Sequence, residues 1–263
     1  MIRNNIIVLL ITFTLFIMAG CEQNSKNDPE PERFVAVSFS ARSMSGLLKS
    51  AASEEEDSIG KIILFGVNDQ NEVVQTFPIL TGTSLSGTQL TISRKVKSLY
   101  AIANPSDDME VAIPSMFTVS NLMDMTGDFT VAPQPPFLMS CISEVNSDNI
   151  NIEFVRAIAK IDIIGINGFQ IESITVMNTP AKGYVFNRED LSVPTSDMVT
   201  YSYTEDNLAI YIAESSKQNP VGFLVTGQFQ NEQESCTIML TSEGQKIDII
   251  RNTYYQVSVG FEN

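Results

Sequence analysis

The sequence predicts a mainly β protein made of two consecutive β-sandwich-like domains, with one short helix in the first. Three observations predict this fold. Many short apolar segments are separated by turn-forming residues, several of them alternate polar and apolar residues, and one segment alone has helical spacing. A content of 43% hydrophobic and 18% charged residues supports a packed core. We place the domains at residues 33–145 and 146–263, with their boundary inside the polar, turn-forming segment 143–149.

The first twenty residues, 1–20, have the pattern of an export signal. Arg3 gives a positive start, residues 6–18 are apolar, and two small residues precede Cys21. A cysteine directly after such a cleavage site is typical of a bacterial lipoprotein, so we predict that Cys21 is acylated and anchors the protein in membrane lipid. The alternative is an ordinary signal peptide that is followed by cysteine by chance. Residues 21–32 are polar, contain two prolines and predict a flexible spacer.

The first predicted strand, residues 33–42, follows this spacer. Val35, Val37 and Phe39 fall on one face at a period of two, which is typical of a strand with one side toward a core. Burial of these side chains would contribute roughly 1.5–3 kcal/mol each. That sum is comparable with the whole stability of a domain, roughly 5–15 kcal/mol. A cut after Arg42, where the strand ends, would therefore remove the tether and a large share of the folding free energy.

The rest of the chain is predicted to form short strands and one helix. Residues 115–125 form the helix, because Met116, Val119, Leu122 and Met123 recur at helical spacing. The acidic run at 53–57 predicts a solvated loop. The other segments are β-branched or aromatic runs between turn signals, and they predict strands at 61–67, 73–80, 89–93, 98–103, 137–142, 150–166, 171–177, 183–186, 198–203, 208–213, 221–229, 236–240, 246–250 and 254–261.

The longest of these, 150–166, is predicted as one continuous strand. Its small and apolar side chains share a face that we assign to the core: Ala157, Ala159, Ile161 and Ile163. The charged side chains on the opposite face are predicted to lie in solvent: Arg156, Lys160 and Asp162.

Composition excludes several functional classes. A formal net charge of −15, with a pI near 4.3, provides no basic face for nucleic acid. The absence of histidine excludes Ser-His-Asp and Cys-His catalysis and histidine-ligated zinc. The sequence contains no Gly-rich phosphate loop and no EF-hand spacing, although loop carboxylates leave calcium open. We predict a protein that is not an enzyme and has no cofactor.

Cys141 and Cys236 either pair or act as two small buried hydrophobic residues.

The order of segments resembles the fimbrillin family, the pilus subunits and fimbrial lipoproteins of the FimA or FimB type. The resemblance covers nearly the whole mature chain. Its most specific block is 155–162, Val-Arg-Ala-Ile-Ala-Lys-Ile-Asp. The other matching features are the lipoprotein signal, the strand at 35–40 that ends near Arg42, and the blocks at 61–68, 99–105, 137–140, 210–214 and 251–259.

This resemblance implies a fold, a location and a set of partners. It implies two transthyretin-like Greek-key β-sandwich domains, and export to the outer membrane as a surface-exposed lipoprotein held by Cys21. An arginine-specific protease would then cut at Arg42 and remove the tether and first strand. The emptied groove, until then filled by Val35, Val37 and Phe39, would accept a C-terminal strand from a neighbouring pilus subunit.

The sequence departs from the stalk subunits of that family at its C-terminus. It stops at Asn263, just after the strand that precedes the donor extension in those subunits. We therefore expect a tip or accessory subunit that accepts a strand. Two alternatives stay open: an uncleaved fimbrial anchor, and a free surface lipoprotein that binds a glycan or a host ligand. Tyr201, Tyr203 and Tyr211 are the aromatic candidates for such binding, and core packing is the other role we consider for them.

Overall fold

The chain folds mainly into β-strands in this computed structural model, which describes residues 31–45, 53–85, 88–188, 197–204 and 209–261. The strands within those residues are β1 (Glu32–Ala41), β2 (Lys61–Val67), β3 (Val73–Thr76), β4 (Leu80–Thr81), β5 (Thr88–Ser93), β6 (Ser98–Ala103), β7 (Thr126–Asp128), β8 (Met139–Glu144), β9 (Asn149–Arg156), β10 (Ile158–Gly165), β11 (Gln170–Pro180), β12 (Lys182–Tyr184), β13 (Met198–Thr204), β14 (Ile210–Ala213), β15 (Gly222–Phe229), β16 (Glu232–Met239), β17 (Thr241–Ser242), β18 (Gln245–Lys246) and β19 (Tyr254–Val259). Two short α-helices, α1 (Asp107–Ala112) and α2 (Val119–Met123), and 3-10 turns at Gly82–Leu85 and Ile113–Ser115 complete the described elements.

The strands form three main sheets. The largest has the order β3-β2-β6-β8-β9-β1-β5, with β4 paired to β2. A three-stranded sheet has the order β14-β10-β19, and a four-stranded sheet has the order β13-β11-β15-β16. Two short pairs, β12-β7 and β17-β18, lie outside these sheets. The mainly β, sandwich-like class predicted from sequence is therefore confirmed.

The prediction of a single helix is wrong, because the described residues contain two. Helix α1 was missed because only Met109 of its six residues is buried, so no apolar period marks it. Acidic side chains fill its first turn, where they interact favourably with the helix dipole. Helix α2 is shorter than the predicted 115–125. It begins after Thr118, whose hydroxyl accepts a hydrogen bond from the Asn121 N–H in a capping box.

The predicted strand 150–166 is two strands that are separated at Ala157. Residues before the break belong to β9 and pair with β1 and β8, whereas those after it belong to β10 and pair with β14 and β19. The break changes which side chains point inward, and it has the largest consequence for the site described below. The inward face predicted from position 157 to 163 is confirmed, because all four of its side chains are buried.

Apolar side chains gather in three clusters. The first packs under the largest sheet and includes β1, and a small third cluster fills the space beneath the two helices. The second lies between the three-stranded and four-stranded sheets. Strand β14 alternates between the first two, since Tyr211 and Ala213 join the first cluster while Ile210 and Ile212 join the second. Residues 32–263 group into one compact unit by contacts, and the division at residues 145 and 146 stays a prediction.

The predicted signal peptide 1–20 and Cys21 lie outside the described residues. So does the spacer, apart from Pro31 and Glu32 at its end. Within the part of the chain that the structure does describe, no helix is long and apolar enough to cross a membrane.

Candidate functional site

Strand β1 lies inside the largest sheet, with neighbours on both sides. It pairs antiparallel with β5, where Val35 lies opposite Leu90, and parallel with β9, where Phe39 lies opposite Ile152. Its side chains alternate as expected, since Val35 and Val37 are 0% and 1% exposed and Phe34 is 69% exposed. Both valines belong to the first apolar cluster. The strand therefore completes a core that would be open without it.

Phe39 continues this apolar face at the end of the strand. It is half-buried rather than fully buried, and it packs against the first cluster. Its ring stacks on that of Phe154 in β9, with ring centroids 6.3 Å apart. The sequence prediction that these three side chains face one core thus agrees with their positions, although Phe39 contributes less burial than the two valines.

Arg42 follows the last residue of β1 and has two different environments. Its side chain is 54% exposed, and its Nε donates to Glu153 Oε2 at 2.9 Å. Its backbone is held more firmly, because its N–H donates to the Phe154 carbonyl at 2.7 Å. Its carbonyl accepts a hydrogen bond from Arg156 Nη1, also at 2.7 Å. The side chain is thus open to a protease, while the peptide bond that would be cut is anchored.

Arg156 is the buried partner of that peptide, and its predicted position in solvent is wrong. The side chain is 0% exposed. Its Nη1 donates to the Arg42 carbonyl and to Asn252 Oδ1 at 2.8 Å, its Nε donates to the Glu56 carbonyl at 3.1 Å, and its Nη2 pairs with Asp57. Burial lowers the pKa of this guanidinium, and the negative charges of Asp57 and Glu56 oppose that shift. Arginine stays charged in proteins, so the structure holds a buried cation at the end of β1.

The break at Ala157 explains the error. In β9 the alternate residues Ile150, Ile152, Phe154 and Arg156 are buried, so Arg156 continues the inward face of that strand. The sequence pattern after the break has the opposite phase. When the two strands are treated as one, Arg156 is placed on the wrong face.

Glu56 is the second buried charge, and the prediction that residues 53–57 form a simple solvated loop is wrong for it. Glu56 is 2% exposed. Its Oε1 accepts hydrogen bonds from Lys160 Nζ at 2.8 Å and from the Tyr211 hydroxyl at 2.6 Å. Burial alone would raise the pKa of Glu56, but these two donors and the charge of Lys160 lower it below its ordinary value of 4.5. The run 53–57 therefore docks on the Arg-Ala-Ile-Ala-Lys block.

We expect Glu56→Gln to lower the free energy of unfolding by about 1–3 kcal/mol at pH 7, because it leaves the Lys160 ammonium without its counter-charge. The Lys160 side chain is only 12% exposed, so its predicted position in solvent is also wrong. The folded-state pKa of Glu56 is lowered, so its contribution is complete above pH 4.5 and is lost as the pH falls through that lower pKa. The difference between the two proteins should therefore shrink on acidification. Urea unfolding at pH 7 and pH 3 measures it, with the exposed neighbour as a control, Glu55→Gln. An equal loss of unfolding free energy in Glu56→Gln and Glu55→Gln at pH 7 would contradict the assignment of Glu56 as the counter-charge of Lys160.

Asn252 holds the chain on the other side of the Arg42–Ser43 peptide. Its Oδ1 accepts from Arg156, and its Nδ2 donates to the Ser43 carbonyl at 3.0 Å. The Ser45 N–H donates to the Asn252 carbonyl at 2.9 Å, and the Ser45 carbonyl accepts from the Tyr254 N–H at 2.7 Å. Asn252 has a φ of 53°, a conformation that asparagine adopts more readily than most residues. Together Arg156 and Asn252 bind the carbonyls on both sides of the predicted cut.

The remaining candidate residues do not form a binding surface. Tyr201, Tyr203 and Tyr211 are all buried, and burial raises the pKa of Tyr203 to about 12. They are core residues.

Cys141 and Cys236 are both free and half-buried, so they do not pair. Among the described residues, no group of histidine, cysteine, aspartate or glutamate side chains could hold a metal ion.

Sequence reasoning missed three residues of this site: Glu56, Arg156 and Asn252. Arg156 and Asn252 lie in two of the blocks that carry the fimbrillin resemblance, and this was the available signal. The contacts of those blocks with the carbonyls of Arg42 and Ser43 join residues more than a hundred positions apart. It runs through backbone carbonyls, which leave no trace in a side-chain pattern.

No family model and no curated protein matches the sequence, whereas several solved structures share its fold. A fimbrial assembly protein from Parabacteroides distasonis is 16% identical at a TM-score of 0.61, over 88% of this chain and 92% of that chain. The tip fimbrial protein Mfa3 from Porphyromonas gingivalis, with a C-terminal truncation, is 15% identical at a TM-score of 0.61, over 89% of this chain and 96% of that chain. A protein from Bacteroides eggerthii, described as a cell adhesion protein, is 14% identical at a TM-score of 0.62, over 90% of this chain and 88% of that chain.

The chain therefore has the fold of bacterial fimbrial and cell adhesion proteins. The fimbrillin-like architecture expected from the order of the sequence blocks is confirmed at the level of fold.

Proposed function

We propose that this protein is a subunit of a cell-surface pilus in which β1 is a temporary strand. An arginine-specific protease cuts after Arg42, and a strand from another subunit takes the place of β1. The observation that carries this proposal is the position of β1. It is an inner strand of the largest sheet, it seals the first apolar cluster with Val35 and Val37, and it ends at an exposed arginine side chain.

The site left by β1 suits an extended strand from another chain. Loss of β1 would leave β9 as a sheet edge and β5 without its partner strand, each with unpaired backbone groups. It would also uncover apolar positions at alternate places along the groove. A strand of any sequence can make the backbone hydrogen bonds, and apolar side chains at every second position would fill the core. The natural partner is therefore another pilus subunit.

Before processing, we propose that the protein is an outer-membrane lipoprotein exposed at the cell surface, held through acylated Cys21 and the spacer 21–32. Removal of β1 would release it from this anchor, because the cut lies after the spacer. We favour a tip or accessory position in the pilus. The support for that position is the likeness in fold to a tip fimbrial protein.

An uncleaved anchor subunit is the second candidate, and one observation favours it. The carbonyls of Arg42 and Ser43 are both hydrogen-bonded to side chains, and proteases act on backbone that can leave its partners. Processing at Arg42 therefore requires the segment 42–45 to open first. A folded protein that never opens there would keep its tether.

This protection leads to a measurable prediction. Asn252→Gly removes the side chain that holds Ser43 and keeps a residue suited to the positive φ. Loss of these hydrogen bonds should ease opening by about 1–2 kcal/mol and speed cleavage after Arg42 roughly 5- to 30-fold. The rate is followed with an arginine-specific protease and mass spectrometry. Asn231→Gly is the matched control, because Asn231 also has a positive φ, 65°, but lies in the β15–β16 turn. An unchanged rate in Asn252→Gly would show that the segment is not protected by this residue.

The proposed function is tested in cells that carry Arg42→Ala in place of the wild-type protein. We expect the variant to stay with the membrane and to be missing from purified pili. Arg94→Ala, a change at an exposed arginine on the turn after β5, should be incorporated normally. Normal incorporation of the Arg42→Ala variant would remove the role assigned to Arg42.

A further inference from the structure

We infer that Arg156 is a carboxylate-binding site that keeps β1 in its groove after the protease has cut. This inference rests on the proposed function, because the carboxylate in question is the one that cleavage creates at Arg42. Strand β1 then leaves its groove when an incoming strand displaces it, and not when the chain is cut.

The geometry places the buried cation at the atom that changes. Arg156 Nη1 is 2.7 Å from the Arg42 carbonyl oxygen. The guanidinium is fully buried and is fixed on its other sides by the Glu56 carbonyl, Asn252 and Asp57. Because those contacts come from residues that the cut leaves in the body, Arg156 stays in position when the Arg42–Ser43 bond is broken.

Hydrolysis strengthens this contact. The bond between the Arg42 carbonyl carbon and the Ser43 nitrogen breaks, and water supplies a hydroxyl to the carbon and a proton to the nitrogen. The new carboxylic acid loses its proton near neutral pH, and the new Ser43 amine gains one. The oxygen that accepts from Arg156 thus becomes part of a carboxylate. A hydrogen bond between two charged groups is stronger than one to a neutral carbonyl.

The rest of β1 is unaffected by the cut. Its pairing with β5 and β9 lies wholly N-terminal to the broken bond, and Val35 and Val37 remain in the core. The cut strand is therefore a bound peptide with a charged anchor at its C-terminal end. It would protect the apolar groove until a donor strand competes for it.

The test uses the full chain, cut in detergent solution with an arginine-specific protease. We expect the fragment that ends at Arg42 to co-elute with the body in size-exclusion chromatography. Two labelled synthetic peptides of residues 32–42, one with a free C-terminal carboxylate and one with a C-terminal amide, are then exchanged into the cut protein. The free acid should bind at least about tenfold more tightly (1.4 kcal/mol). Because the contact is buried, that preference should persist at high salt.

Equal affinities for the two peptides, a preference that disappears at high salt, or immediate loss of the fragment would overturn the inference. The peptide comparison needs no variant, so it does not depend on whether an Arg156 variant folds. A chain that is cut after Arg42 but binds both peptides equally refutes the inference alone. A chain that is not cut there refutes the proposed processing, and the inference falls with it.

Discussion

Replacing Arg156 with methionine should lower the free energy of unfolding by about 3 kcal/mol, a large part of the roughly 5–15 kcal/mol that stabilises a domain. Methionine fills much of the same volume but donates no hydrogen bond. The carbonyls of Arg42 and Glu56 and the amide oxygen of Asn252 would lose their donor. Urea unfolding measures the loss. The half-exposed Asp57 can turn to water, so its share of the cost is small.

Arg94→Met is the matched control for this variant, because the same side chain is removed from an exposed position. It should change the free energy of unfolding by less than about 0.5 kcal/mol. Similar losses in the two variants would mean that the buried hydrogen bonds of Arg156 do not stabilise the fold. A loss confined to Arg156→Met would locate an energetic anchor of the β1 segment at its C-terminal end.

Val37→Asp should be more damaging, at about 4 kcal/mol or more. Val37 is 1% exposed and lies in the first apolar cluster. The variant loses the burial of the valine and places a carboxylate in an apolar site. We expect a much lower urea midpoint, and faster release of β1 once the chain is cut.

Ser38→Asp is the control, since it adds the same carboxylate one position along β1, where the side chain is exposed. Its neighbour across the strand pair is Asn151, which is uncharged. The change should be tolerated within about 0.5 kcal/mol. If Ser38→Asp were as damaging as Val37→Asp, the effect would reflect charge on β1 and not the filling of the groove.

Strand β1 could be predicted from sequence because its alternation is a local property. Val35 and Val37 are two residues apart in a run of strand-forming residues, and no distant residue is needed to assign their face. The same holds for β2 and β6, whose predicted bounds match the structure. Helix α1 has no such local signal, because five of its six residues are not buried.

Arg156 could not be placed because its face depends on a break that the sequence does not mark. Apolar residues recur along the whole of residues 150–166, and a one-residue interruption at Ala157 reverses the phase of everything before it. Glu56 was misplaced for a different reason. An acidic run is normally solvated, and only the approach of Lys160 and Tyr211, each more than a hundred positions away, makes a buried carboxylate stable.

The role proposed for Arg42 draws on both the sequence and the structure. Its place at the end of a predicted strand could be read from the sequence, whereas its use as a protease site is a proposal that the resemblance to the fimbrillin family suggests. The hydrogen bond that holds its carbonyl could not be read from the sequence, because its donor is the side chain of Arg156, more than a hundred positions away. That anchoring changes the expected behaviour of the site, from a bond cut at any time to one cut only when the segment opens.

The most direct test of the account is the N-terminal sequence of the protein purified from the surface of intact cells. We predict a mature chain that begins at Ser43, because cleavage after Arg42 separates it covalently from the tether and β1. A protein found only with acylated Cys21 as its first residue would contradict that claim.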